Sequence, residues 1–251
     1  MEVFSPDGTR IAYEQRGSGP PLVLVDAAGH FRANSPLDEL AGLLAGDFTV
    51  VRYDRRGRGD STDTAPYTPD RGVGDLAALI GAVGGPAALY GYSSGCLVAL
   101  HAAAAGLPVR RLALLEPPID TTRDDPGQRE FTARLRALTG ADAVEFFMAG
   151  IGVPEEMITA MRDTPYWSAV VSVAPTLAYD SMLSESVDED LLRRVPVPTL
   201  VLHSAASTTD LTRMAELAAG RIPHAVLRGL PGAWHSVPAS VLATALTDFL
   251  R

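Results

Sequence analysis

Lysine is missing altogether: all 21 basic residues of this 251-residue chain are arginine. Without an amine side chain, Schiff-base chemistry is excluded. The exclusive use of arginine suggests a GC-rich bacterial genome. Cysteine is nearly as scarce. The single Cys96 cannot form an internal disulfide, which fits a cytoplasmic location. No apolar run reaches the roughly 18 residues needed to span a bilayer, so no membrane span is expected. The first residues, Met1 to Gly8, lack the basic region and apolar core of a signal peptide. Positive charge is also in short supply: 21 basic residues against 30 acidic ones leave a net charge of −9. An acidic surface argues against nucleic acid and anionic membrane as partners.

What is present is an alternation of strand-like and helix-like stretches. The length and the 47% apolar content suit one α/β domain with modest insertions. Residues 10–16, 21–26, 48–53, 111–116, 199–203 and 225–230 read as strands, several of them continuously apolar, as strands buried on both faces are. Residues 35–45, 209–219 and 238–250 read as helices. Thr68-Pro69-Asp70 opens another, with Thr68 as the capping side chain. Such alternation predicts a mostly parallel sheet with helices on both faces. Residues 118–192 break the rhythm. They are helical in pattern and hold Pro154, Pro165 and Pro175 without a clear strand. They are expected to form an inserted helical cap, leaving 1–117 and 193–251 as the core.

Chemistry enters with Gly91-Tyr92-Ser93-Ser94-Gly95. The motif G-x-S-x-G lies between the apolar run Ala87-Ala88-Leu89-Tyr90 and a helix-forming run that begins at Cys96. A strand turning sharply into a helix holds one serine in a strained turn with its hydroxyl exposed. Ser93 is therefore the candidate nucleophile. Cys96, on the apolar helix that follows, reads as a buried structural thiol. A serine hydroxyl needs a base, and the base needs an acid to orient it. Of five histidines, His235 is best placed, in a loop between the last strand and the last helix. His203 reads as a core histidine near the site, and His101 and His224 as structural.

The strand order, the elbow, the inserted cap and the late Gly-x-x-His loop together resemble the α/β-hydrolase fold over essentially the whole chain. Asp54-Arg55-Arg56-Gly57-Arg58-Gly59-Asp60-Ser61 is similar to the D-x-R-G-x-G-x-S structural loop of that family. Most members carry their acid a few residues after the penultimate strand, where this chain has Ser207. Asp210 follows three residues later and reads as a charge in the first turn of a helix. Glu116, at the end of the strand after the elbow helix, looks like the acid of members that place it there, many haloalkane dehalogenases among them. The expected triad is Ser93, His235 and Glu116, with Asp210 in reserve. Dehalogenases use an aspartate nucleophile; a serine instead implies an acyl-enzyme.

The resemblance also implies an oxyanion hole made by the backbone N–H of Ser94 and that of Ala27 or Ala28. The family's usual His-Gly pair is replaced by Asp26-Ala27-Ala28-Gly29-His30. Asp26 would oppose an oxyanion if it pointed inward, so it is expected to turn aside into hydrogen bonds. Phe146, Phe147, Met148, Met157, Met161, Tyr166, Trp167 and Trp234 offer apolar surface for a pocket roof, though most of the cap residues among them read as the cap's own core.

These readings favour a serine hydrolase acting on a small to medium apolar carboxylic ester, thioester or lactone, with no metal and no cofactor. The alternative is a non-hydrolytic enzyme of the same fold, a lyase, cyclase or acyltransferase of bacterial natural-product metabolism. A third is a binding protein that has kept the fold and lost turnover.

Overall fold

The computed structural model describes residues 1–121 and 125–251. Its strands are β1 (Glu2–Phe4), β2 (Arg10–Arg16), β3 (Pro21–Val25), β4 (Thr49–Tyr53), β5 (Ala87–Tyr92), β6 (Val109–Leu115), β7 (Thr199–Ser204) and β8 (Ala225–Leu230). They form one sheet in the order β1-β2-β4-β3-β5-β6-β7-β8. The β1–β2 and β2–β4 pairs are antiparallel, and every pair from β4 to β8 is parallel.

Side chains alternate across a strand, so a doubly covered sheet asks for apolar residues at every position. β3 shows the consequence. Val23 and Val25 enter an apolar cluster on one face, and Leu22 and Leu24 enter a second cluster on the other. The first face is covered by α2 (Pro69–Ala82), α3 (Gly95–Ala104) and α10 (Thr209–Arg221), and the second by α1 (Leu37–Leu44) and α11 (Ala239–Leu250). The capping expected of Thr68 does not occur. It holds the N-cap position of α2 with extended backbone, but its side chain makes no capping bond.

Between β6 and β7 come α4 (Asp125–Ala137), α5 (Gly140–Gly150), α6 (Glu155–Met161), α7 (Pro165–Ser172), a single 3-10 turn at Ala174–Thr176, α8 (Leu177–Glu185) and α9 (Glu189–Arg193). They build a third apolar cluster from Leu135, Val144, Met148, Ile158, Val170 and Leu177. α8 and α9 also reach the first cluster, sending Leu183, Leu191 and Leu192 in beneath α2 and α3. Among the described residues no helix is long and apolar enough to cross a membrane.

The chain runs from β3 to β4 on one side of the sheet and then to β5 on the other side of β3. A crevice opens at the carboxyl ends of strands where the order reverses in this way. The ends of β3, β5, β6 and β7 and the loop after β8 all meet there.

Candidate active site

Ser93 follows directly on β5 and adopts left-handed backbone, with φ of 50°. Its N–H donates to the Leu115 carbonyl at 3.0 Å, and its own carbonyl accepts from Cys96 N–H at 2.9 Å. The turn is tight enough to require glycine on both sides. A Cβ on Gly91 would lie 2.5 Å from Cys96 Cα, and one on Gly95 would lie 2.1 Å from the Val25 carbonyl oxygen. Cys96 is fully buried, its thiol contacts the Gly91 carbonyl at 3.2 Å, and burial pushes its pKa well up. It is a packed thiol and not a nucleophile.

Glu116 lies one residue past β6 and is buried, also with left-handed backbone at φ 48°. Its Oε1 accepts from the backbone N–H of Ser204 at 2.9 Å and from the Ser204 hydroxyl. Its Oε2 accepts from the backbone N–H of His235 at 2.6 Å. The same oxygen stands 2.6 Å from His235 Nδ1, close enough for an ion pair but not aligned as a hydrogen bond. Burial alone would raise the pKa of this carboxyl. The interactions with His235 and Ser204 outweigh burial and hold it at about 2. A charged carboxylate therefore sits against the imidazole at neutral pH. The β6 strand stops before Glu116, so the residue turns off the strand instead of ending it.

His235 lies between two aromatic rings. Tyr92, the residue before Ser93, meets it edge-on with centroids 5.6 Å apart, and Trp234 stacks beside it at 6.1 Å. Trp234 and His235 have φ of 38° and 62°. Among the described residues, the non-glycine positions with left-handed backbone are Ser93, Glu116, Trp234 and His235. Each such conformation costs on the order of 1–3 kcal/mol and persists where the surroundings enforce it. All of them fall in this one place.

Asp210 is elsewhere. It lies in the first turn of α10 with its side chain 80% exposed and 4.0 Å from Arg213. Of the other histidines, His203 stands on β7 with Nδ1 3.3 Å from the Ser204 carbonyl oxygen. His101 of α3 pairs through Nε2 with the hydroxyl of Ser186, the residue after α8, at 2.8 Å. His224 is exposed in the turn before β8.

The loop after β3 and the elbow share one anchor that sequence reasoning missed. Asp180 on α8 is buried, and its Oδ1 accepts from Arg55 at 2.6 Å and from the Ser94 hydroxyl at 2.8 Å. Its Oδ2 accepts from Arg58 at 2.5 Å. The two guanidiniums hold this carboxyl below its ordinary pKa in spite of burial. Arg58 also donates to the carbonyls of Ala27 at 2.7 Å and His30 at 3.2 Å, and Arg55 to that of Asp26 at 3.3 Å. A signal for Asp180 existed. It lies three residues from both Leu177 and Leu183, on the helix face that they bury.

Asp26 overturns its expectation. It is 4% exposed, and its Oδ1 has no hydrogen-bond partner. The apolar side chains divide. Met148 is buried within the third cluster, and Phe146 stacks on Phe131 at 4.8 Å beneath Arg134. Phe147, Met161, Tyr166, Trp167 and Trp234 are half-buried against that cluster, together with Ala28 from the loop after β3. Met157, expected among them, is 45% exposed instead, because its face of the short α6 meets no neighbour.

A model of the alpha/beta hydrolase family matches residues 11–244. An alpha/beta hydrolase from Sphaerobacter thermophilus superposes with a TM-score of 0.87 and 40% identity, with all of both chains covered. A hydrolase from Pseudomonas aeruginosa superposes with a TM-score of 0.83 and 25% identity, covering 100% of this chain and 97% of that one. A non-heme haloperoxidase of Rhodococcus erythropolis is 25% identical, over 99% of this chain and 97% of its own.

Proposed function

Because the chain belongs to the alpha/beta hydrolase family, we propose that it is a serine hydrolase cleaving a small to medium apolar carboxylic ester, thioester or lactone through an acyl-enzyme. Ser93 attacks the carbonyl carbon. His235 takes the hydroxyl proton and passes it to the leaving group, and then activates the water that releases the acyl group. Glu116 orients the His235 ring and offsets the charge it gains. The backbone N–H of Ser94, with that of Ala27 or Ala28, receives the developing oxyanion. The reaction uses no metal and no cofactor. The helices between β6 and β7 serve as a cap over the crevice, and the one buried cysteine fits a cytoplasmic protein.

One observation carries the reading. A buried carboxylate held charged at about pKa 2 lies 2.6 Å from an imidazole nitrogen, in the crevice where the elbow serine turns. Glu116 fills the role of acid better than the exposed Asp210 does. The loop carbonyls fastened by Arg55 and Arg58 fix the backbone that carries the proposed oxyanion donors.

A fluorophosphonate probe tests it at neutral pH. Wild type takes the label, Ser93→Ala does not, Glu116→Gln labels far more slowly, and Asp210→Asn labels as wild type. A folded wild-type protein that takes no label sinks the proposal. Equal labelling of Glu116→Gln and wild type removes Glu116 from the triad.

A further inference from the structure

Asp26 follows directly on β3, in the loop that carries the proposed oxyanion donors. Val25, the last residue of β3, pairs in register with Gly91. Asp26 is therefore level with Tyr92, one strand spacing from the residue before Ser93. Its backbone carbonyl is taken by Arg55. Its side chain is nine-tenths buried, yet Oδ1 has no partner. A buried carboxylate oxygen left unpaired is costly, and its place in the fold calls for an explanation.

The surroundings show which way the carboxylate acts. Tyr92 approaches His30 with ring centroids 6.3 Å apart, and His30 approaches Tyr166 of α7 at 5.6 Å. With the Tyr92–His235 contact, these rings run from the proposed base to the helices above the crevice. Asp26 acts on all three, and also on the buried Tyr90 hydroxyl and the Arg58 guanidinium. After burial, it is the next cause that pushes the Tyr92 and Tyr166 hydroxyls up, and it opposes the burial that pulls His30 down. His30 offers Asp26 no proton in its neutral form, because Nδ1 lies 3.2 Å from the Asn34 carbonyl and donates there. Asp26 Oδ1 is thus a buried acceptor that no protein group fills.

We propose that Asp26 is a substrate-recognition carboxylate, accepting a hydrogen bond from a hydroxyl or amine carried by the acyl part of the substrate, two or three bonds from the carbonyl that Ser93 attacks. The inference rests on the serine-hydrolase reading and narrows its substrate: an apolar acyl chain with one donor near the carbonyl. Such a substrate also removes the conflict between Asp26 and the oxyanion, since the bound donor draws the negative charge to itself.

Phenyl butanoate, phenyl 3-hydroxybutanoate and phenyl 3-aminobutanoate test it, with phenol release measured for wild type, Asp26→Ala and Asp26→Asn. Wild type favours the hydroxy and amino esters over butanoate in kcat/KM by about tenfold or more. In Asp26→Ala both preferences fall to within about twofold, and butanoate turns over faster because the opposing charge is gone. Asp26→Asn, which keeps the shape and one acceptor oxygen, loses the preference for the amine and keeps part of that for the hydroxyl. No preference in wild type, or one that survives in Asp26→Ala, overturns the inference while leaving ester cleavage in place. If wild type cleaves none of the esters and Ser93 takes no fluorophosphonate, the parent reading has failed and the inference falls with it.

Discussion

Replacing Asp180 by asparagine tests how one carboxylate holds two loops together. The side chains of Arg55, Arg58 and Asp180 are 7%, 1% and 2% exposed, so water does little to shield the charges. Removing the negative charge leaves two guanidiniums buried side by side. Breaking a buried ion pair from one side costs about 3–5 kcal/mol, out of the roughly 5–15 kcal/mol that holds a typical domain folded. For a chain of this length each kcal/mol moves the melting temperature by about 2–4 °C, so Asp180→Asn should melt roughly 6–20 °C below wild type. Ser94→Ala is the milder partner. It removes one hydroxyl bond to the same carboxylate, leaves both arginines paired, and costs about 1–3 kcal/mol. Calorimetric melting at pH 7 reads the first effect. Steady-state kinetics well below both melting points read the second. Losing an oxyanion donor outright costs about 100–1000-fold in kcat, so displacing one by loosening its backbone is expected to cost about tenfold, in kcat and not in KM. An Asp180→Asn protein that melts within about 2 °C of wild type refutes the electrostatic argument. A Ser94→Ala protein that melts lower but keeps its kcat shows that the anchor serves folding alone.

Three further outcomes are expected. Glu116→Gln should lower kcat by about 1000–10,000-fold while Asp210→Asn stays within about twofold, as measured by ester hydrolysis; comparable losses in both would reinstate the later acid. The Glu116 carboxyl is held at about 2 instead of the usual 4.5. A depressed carboxylate pKa adds stability that is complete above the unfolded value and fades as pH falls through the folded one; here that is about 3 kcal/mol, present above about pH 4.5 and lost toward pH 2. The difference in urea midpoint between wild type and Glu116→Gln should shrink across that interval, and a difference that does not change with pH contradicts the assignment. Gly95→Ala places a Cβ 2.1 Å from the Val25 carbonyl, and its melting temperature should fall sharply, with activity lost; a wild-type melting curve would show that the turn relaxes easily.

Much of the architecture was legible because the elements state their own periods. The apolar runs of β3, β5 and β6 read as doubly buried strands, and the two apolar clusters show why. Gly91 and Gly95 announced the elbow because only glycine clears the contacts at its two sides. Placement of Glu116 beside His235 followed from a resemblance and not from any local pattern, since 119 residues separate them. Left-handed backbone at Glu116 and Trp234 leaves no mark in residue type, because each is an unusual choice for that region. The Asp180 anchor needed three distant segments to meet. Asp26 was expected to turn aside into hydrogen bonds because an inward charge would oppose an oxyanion, yet its Oδ1 finds no partner.

The neighbours of Glu116 carry a consequence for the placing of its charge. Ser204 ends β7 and bonds the carboxylate through its backbone N–H and its hydroxyl, while the buried Ser207 hydroxyl three residues on finds no partner. Two neighbouring strands thus address one point beside the imidazole. A charge placed there can be reached from the end of either β6 or β7 without rebuilding the sheet. The sheet sets the location of the charge, and two adjacent strand ends share access to it.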